Sequence, residues 1–364
     1  MATLIRATES AQMPCLSLRS TPRCQVTYVW INSSGTAPKA KTRILDSEPQ
    51  CVQDVPEWFA AYSNNTVVQE VTLFPVQMFR DPFLLDPNKL VLCNVLELDG
   101  EPAPGNKRPE CKEAMEAVKD QKPWFGFEQE YVLLTLDGKL FGMNGLNKLL
   151  DGVSNEVGLN KVFGREVSTR HCNACLYAGI NIAGTAGEDM PAQWEFQVGP
   201  CGGLELGDHT WMARYILHRI CEDFGVIASF HPKPIPDKLW GSGGHMNFST
   251  ESMRTKGGIK HIFAAIDLLA QQHGKHMEVY GNEENQKRLD GKGMEYSDFA
   301  TFSWAIASRK CSVRIPGHVN QAGKGYLEDR RPSADCDPYL VCKALVQTCL
   351  LPPSDIEEEV IKML

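Results

Sequence analysis

The stretch Trp124-Phe125-Gly126-Phe127-Glu128-Gln129-Glu130-Tyr131-Val132-Leu133-Leu134 limits what this chain can fold into more than any other. Its aromatic and β-branched residues, alternating after Gly126, predict a buried strand. Residues two apart on a strand share a face, so Glu128 and Glu130 point the same way. Two ionised carboxylates on a largely apolar strand repel each other and lose hydration unless something positive lies between them. A hard divalent cation with oxygen ligands meets that need. A lone Glu-x-Glu leaves a second reading open, an exposed edge strand with two solvated glutamates.

The rest of the chain narrows the choice. At 364 residues it is long enough for two domains and a large core. A net charge of -8 argues against a nucleic-acid backbone as partner, though not against a small anion in a local basic site. No apolar run reaches membrane-spanning length, so no membrane partner is expected. Thirteen scattered cysteines, an odd number, read as reduced intracellular thiols rather than a disulfide framework. The C-x-x-C at Cys172 and Cys175, beside His171, falls in a predicted helix over Val167 to Ala178 and has no second pair. It reads as core packing rather than as a zinc or redox motif. Residues 1–23 read as a flexible leader of a cytoplasmic protein, in preference to a mitochondrial transit peptide.

Short strand-like runs dominate the first third: Val26 to Ile31, Gln69 to Phe74 and Lys89 to Val95. The Gly- and Pro-rich stretch Asp99 to Arg108 predicts a linker, giving a β-rich domain over 24–105 and a larger α+β domain over 106–364. In the larger domain, helices are expected over Cys111 to Val118, Val167 to Ala178, Trp211 to Phe224 and Ile259 to His273. Strands are expected over Trp124 to Leu134, Asn181 to Gly184 and Gln193 to Val198.

A second acidic group is spread over Glu188 to Pro200, where Glu195 sits between Trp194 and Phe196 in an apolar strand and cannot easily be solvated. The glycine-dense turn Gly241-Ser242-Gly243-Gly244 then delivers His245, bringing backbone close to a ligand and presenting an imidazole. Arg309, Arg314 and the run Tyr326-Leu327-Glu328-Asp329-Arg330-Arg331 set a further carboxylate among arginines, which clamp carboxylates and phosphates. Standing alone those arginines would read as surface ion pairs. Together the carboxylates, one histidine and the arginines imply metal-assisted phosphoryl chemistry. Gly323-Lys324-Gly325 is not a P-loop, since no Ser or Thr follows the lysine.

With those residues in hand, the chain resembles glutamine synthetase of the eukaryotic, shorter-subunit type, from about Val26 to Leu351. The blocks that carry the resemblance are Met78 to Pro82, Pro123 to Glu130, Met190 to Cys201, Cys221 to Pro236 and Gly325 to Ser333. The resemblance implies an N-terminal β-grasp domain, a glutamine synthetase/guanido kinase-like catalytic domain, and a decamer of two pentameric rings with the site between neighbouring subunits. It puts Glu130, Glu188 and Glu195 on one Mg²⁺ or Mn²⁺, and Glu128, His245 and Glu328 on another. It makes Trp124, Ser249, Arg254 and Tyr326 contacts of ATP, Arg309 and Arg314 phosphate-binding, and Gly241, Arg288 and Arg330 contacts of glutamate and the transferred phosphate. Glu295 matches a flap glutamate that closes over the intermediate. The reaction implied is phosphorylation of the glutamate γ-carboxylate by ATP, followed by displacement of phosphate by ammonia.

The chain also departs from the family's pattern. The family's Asn-Phe-Asp-Gly-Ser-Ser loop after Pro-Glu-Trp is here Phe59-Ala60-Ala61-Tyr62-Ser63-Asn64-Asn65, so the aspartate that helps bind and deprotonate ammonium has no counterpart. Trp240 stands in place of an asparagine that contacts glutamate, and Met294 in place of a histidine before the flap glutamate. The region from Gly152 to Phe163 lacks a tyrosine-rich stretch. Two readings follow: an ATP-dependent glutamate–ammonia ligase, or an impaired paralogue that keeps metal and ATP binding and serves in mixed rings with a normal enzyme.

Overall fold

A computed structural model of the protein describes residues 23–63, 68–143, 154–158, 161–235, 241–281, 283–291 and 297–351. The first five strands are β1 (Cys24–Ile31), β2 (Pro38–Leu45), β3 (Trp58–Ser63), β4 (Val68–Arg80) and β5 (Lys89–Leu96). They form one sheet in the order β2-β1-β5-β4-β3, with β1 and β5 parallel and the other pairs antiparallel. Strand alternation gives this sheet two apolar faces with different roles. Tyr28, Trp30, Val71, Leu73, Val91 and Val95 close a small core of their own. Val29, Ile31, Phe79, Leu90 and Leu92 belong to the core of the larger domain.

The larger domain runs α1 (Arg108–Ala117), β6 (Trp124–Leu134), α2 (Arg165–Ala178), β7 (Ile182–Gly187), β8 (Gln193–Cys201), α3 (Gly203–Phe224), β9 (Ile227–Ser229), β10 (Gly244–Ser249) and α4 (Glu251–Arg254). It continues through α5 (Ile259–Gln271), α6 (His273–Val279), α7 (Glu283–Arg288), β11 (Trp304–Ile306), β12 (Val313–Ile315), α8 (Gly317–Ala322), β13 (Leu327–Asp329) and α9 (Pro338–Leu350). Its sheet has the order β11-β12-β13-β10-β6-β8-β7, with β9 on the far end of β6. The expected strand over Trp124 to Leu134 is thus the middle of the sheet. Phe125, Phe127 and Tyr131 pack into the core on one side, with Phe196, Phe248, Trp211 and Tyr339. Burying these seven aromatic side chains on that side, at about 1.5–3 kcal/mol each, fixes which face of β6 is left for the glutamates.

Helix α3 begins at Gly203 rather than near Trp211. Its first turns carry Asp208, His209 and Thr210, all buried. Asp208 is held by a two-pronged ion pair from Arg108 (2.7 and 2.8 Å) and by the Tyr339 hydroxyl. Polar residues on an inward face erase the amphipathic period by which a helix is read. The helix expected over Ile259 to His273 ends at Gln271, and α6 resumes at His273.

Candidate active site

Strand register assembles the acidic and basic residues. Glu130 lies opposite Glu195, and Glu128 lies between Gln197 on one neighbour and His245 on the other. Asn247 lies opposite Glu328, which in turn lies opposite Arg314. Residues opposite one another share a face, as do residues two apart. Arg314, Glu328, Arg330, Asn247, His245, Glu128, Glu130, Glu195 and Gln197 therefore stand on one side of five adjacent strands. The exposed-edge reading of Glu128 and Glu130 is excluded, because β6 has a partner on both sides.

Ligand atoms of Glu128, Glu195 and His245 all lie within 4.8 Å of one another. His245 is central: its Nδ1 is 3.7 Å from Glu128 Oε2 and 3.8 Å from Glu328 Oε1, and its Nε2 is 3.7 Å from Glu130 Oε1. Burial, reinforced by Glu128 and Glu130, holds the Glu195 carboxyl well above the usual carboxylate range. Burial, with Arg330 as the largest nearby charge, holds His245 well below the usual imidazole range, so the ring is neutral and has a lone pair to give. Buried carboxylates crowded around a neutral imidazole are a donor set that suits Mg²⁺ or Mn²⁺. At the edge of the group, Glu328 is fully buried and paired with Arg314, and it accepts a 2.7 Å bond from Arg330.

The glycine-dense turn is shaped by close approach. A Cβ at Gly243 would lie 2.5 Å from His245 Nε2 and 2.9 Å from Arg288 Nη1. One at Gly241 would lie 2.6 Å from the Pro232 carbonyl oxygen and from Arg288 Cγ. The turn thus lies against Arg288, which is fully buried and donates to the carbonyls of Arg331 (2.7 Å) and Pro332 (2.9 Å). The Gly243 N–H donates to Glu130 Oε2 at 2.8 Å.

Beside the carboxylates lies a cavity of about 380 Å³ whose walls include Trp124, Ser249, Arg254, Tyr326, Glu128 and Asn247. The Arg254 guanidinium lies over the Trp124 ring at 4.0 Å and donates to the Lys122 carbonyl at 2.7 Å. Ser249 donates to the Gly325 carbonyl at 2.5 Å, bringing the Tyr326 segment onto the end of β10. An apolar slot with aromatic walls, opening onto carboxylates, fits a flat heteroaromatic ring joined to a metal-bound polyanion.

The structure thus brings together Glu128, Glu130, Glu195, His245, Glu328, Arg314 and Arg330, and sets Trp124, Ser249, Arg254 and Tyr326 in the adjoining cavity. Glu188 is half-buried just past the end of β7, its N–H bonded to the Gln193 carbonyl at 3.0 Å. Arg309 is exposed, and its carbonyl accepts from Arg330 Nε at 3.1 Å. Glu295, Trp240 and Met294 lie outside the described residues. The segment after Trp58 is strand β3, in which Ala61 pairs with Glu70. His171 and Cys175 are buried and bonded to each other at 3.2 Å, with His171 Nε2 also 3.0 Å from the Ala213 carbonyl oxygen, as core packing requires.

Sequence reasoning missed the amides that hold the carboxylates. Gln193 donates to Glu130 Oε2 (3.2 Å), Gln197 to Glu195 Oε1 (2.7 Å) and Asn247 to Glu128 Oε1 (2.9 Å). It also missed a network on the opposite face of β13. Arg331 grips Asp329 through Nε (2.9 Å) and Nη2 (2.7 Å), the Tyr280 hydroxyl donates to Asp329 Oδ2 (2.9 Å), and His276 Nδ1 lies 2.6 Å from that hydroxyl.

A family model described as the catalytic domain of glutamine synthetase matches residues 108–271. The chain is 51% identical over 338 residues to a glutamine synthetase of Xenopus laevis, covering 90% of this chain and 86% of that one. It is 49% identical over 347 residues to a glutamine synthetase of Homo sapiens, covering 92% of each. It is likewise 49% identical over 345 residues to one of Mus musculus, again covering 92% of each.

Proposed function

The chain belongs to the glutamine synthetase family, and on that premise we propose that it is an ATP-dependent glutamate–ammonia ligase working on the carboxylate–histidine face of the larger sheet. The observation that carries this reading is the group around His245 opening onto the aromatic cavity. The cavity takes the adenosine of ATP, with Trp124, Tyr326, Ser249 and Arg254 around it. Mg²⁺ or Mn²⁺ on Glu130, Glu188 and Glu195, and on Glu128, His245 and Glu328, would neutralise phosphate oxygens and lower the barrier to attack on phosphorus.

The protein's own part is to orient and to shield. Arg309, Arg314 and Arg330 draw the charge of the transferring phosphoryl group, while Gly241 and Arg288 position glutamate. A γ-carboxylate oxygen of glutamate attacks the γ-phosphorus of ATP and ADP leaves. Ammonium gives up a proton, the resulting ammonia attacks the acyl carbon and loses a second proton as the C–N bond forms, and phosphate departs with the electron pair of the C–O bond. Glu295 closes over the acyl phosphate so that water does not compete. A β-grasp domain over 24–105 and a catalytic domain over 106–364 assemble as a decamer of two pentameric rings, in a cytoplasmic protein.

One observation favours the second reading, an impaired paralogue in mixed rings. Pro56-Glu57-Trp58 leads straight into β3, and the strand's Ala61 offers no carboxylate to attract ammonium or take its proton. A phosphate-release assay on purified protein, with and without glutamate and ammonium, tests both readings. Glutamate-dependent release matched by glutamine supports the ligase. Release that outruns glutamine supports the impaired paralogue, and no release with either metal refutes the ligase.

A further inference from the structure

We infer that the side-chain amides of Gln197 and Asn247 are positioning residues that set the affinity of this site for divalent cations, an inference that rests on the metal-binding reading above. Each donates to one oxygen of one carboxylate: Gln197 to Glu195 Oε1 at 2.7 Å and Asn247 to Glu128 Oε1 at 2.9 Å. Gln193 repeats the pattern on Glu130, joined there by the Gly243 N–H. The consequence is directional. With Oε1 engaged by Asn247, Glu128 presents Oε2 to His245 Nδ1 at 3.7 Å. With Oε2 engaged, Glu130 presents Oε1 to His245 Nε2 at 3.7 Å.

The choice of a neutral donor matters as much as its place. Arginine or lysine at these positions would hold the carboxylates equally well, as Arg330 holds Glu328, but would cancel the charge that attracts a cation. An amide fixes the rotamer without adding a positive charge to oppose the incoming cation. Register supplies the geometry: Gln197 and Asn247 stand two residues beyond Glu195 and His245 on their own strands, and so on the same face.

The test is Mn²⁺ binding to the full chain, followed by the electron paramagnetic resonance of free and bound ion. Gln197→Met and Asn247→Leu keep bulk and remove the donor, while Asn181→Leu removes an exposed amide that bonds the Pro200 carbonyl instead. Gln197→Met and Asn247→Leu should each weaken Mn²⁺ binding about ten- to a hundredfold and broaden the bound-ion spectrum. Asn181→Leu should match the parent in both. Melting in EDTA identifies a variant that fails to fold, and the other donor-free variant then carries the test. A parent that binds Mn²⁺ with unchanged affinity and line shape in both variants overturns the inference and leaves the metal reading standing. A parent that binds no Mn²⁺ overturns both.

Discussion

Replacing Glu195 by glutamine keeps the side chain's shape, removes its charge, and should have opposite effects with and without metal. Ligand atoms of Glu195 and Glu128 lie within 4.8 Å. Two unit charges at that separation would repel by about 3.5 kcal/mol at an effective dielectric constant near 20, a ceiling that proton uptake by the raised Glu195 carboxyl lowers. The glutamine carbonyl can still accept the Gln197 bond, so little else changes. In protein stripped with EDTA, Glu195→Gln should therefore be the more stable form, by up to about 3 kcal/mol. With Mn²⁺ the order should narrow or reverse. A hundredfold excess of ion over its Kd stabilises the parent by about 2.7 kcal/mol, and losing one ligand should weaken binding about tenfold or more, forfeiting at least ~1.4 kcal/mol of that. Thermal denaturation of both proteins at pH 7.5, in EDTA and across an Mn²⁺ series, reads both effects. A variant that melts below the parent in EDTA, or that gains as much from Mn²⁺, refutes the reasoning.

Three further outcomes are expected. Burial lowers the His171 imidazole to about 4, so as pH falls from 6.5 the unfolded chain takes up a proton that the folded one refuses. Stability is then lost on acidification, by about 3 kcal/mol at pH 4, and His171→Phe should flatten that part of the pH profile in denaturant melts; an unaltered slope counts against it. Gly243→Ala would push a Cβ against His245 and Arg288 and should weaken Mn²⁺ binding about tenfold or more with unchanged far-ultraviolet circular dichroism. Trp240→Asn should lower the KM for glutamate and Ala61→Asp chiefly that for ammonium, and steady-state kinetics with identical constants in parent and variants would dismiss both.

What could be read from the sequence depended on whether a residue's surroundings leave a period behind. Strand β6 was legible from end to end because its alternation is set by one apolar face and one functional face. Glu195 stood out because a carboxylate between Trp194 and Phe196 has no bland explanation. The start of α3 was not legible, since Asp208, His209 and Thr210 are buried, the first two on partners distant in sequence. Helix α9 buries Tyr339, Val341, Cys342, Leu345 and Val346 along one stripe, but Leu340 and Ala344 on its other side are apolar too and blur the period in the sequence. The amides had a usable signal, the spacings Glu195-x-Gln197 and His245-x-Asn247, which place donor and site residue on one face once both segments are recognised as strands.

The run Glu328-Asp329-Arg330-Arg331 puts an acid and an arginine on each face of β13: Glu328 and Arg330 toward the site, Asp329 and Arg331 into the core. A slip of one residue would turn the strand over, yet would replace acid by acid and arginine by arginine on the site face. Charge on the site face is therefore blind to this particular mistake. What tells the two threadings apart is the inner face, where Tyr280 offers its hydroxyl at the reach of a two-carbon acid and His276 waits behind it. That slip would set Arg330 where Asp329 receives the Tyr280 hydroxyl and Pro332 where Arg331 grips it, and leave the shorter Asp329 stretching toward His245. The proofreading of β13 is thus done by a tyrosine and a histidine on its core face.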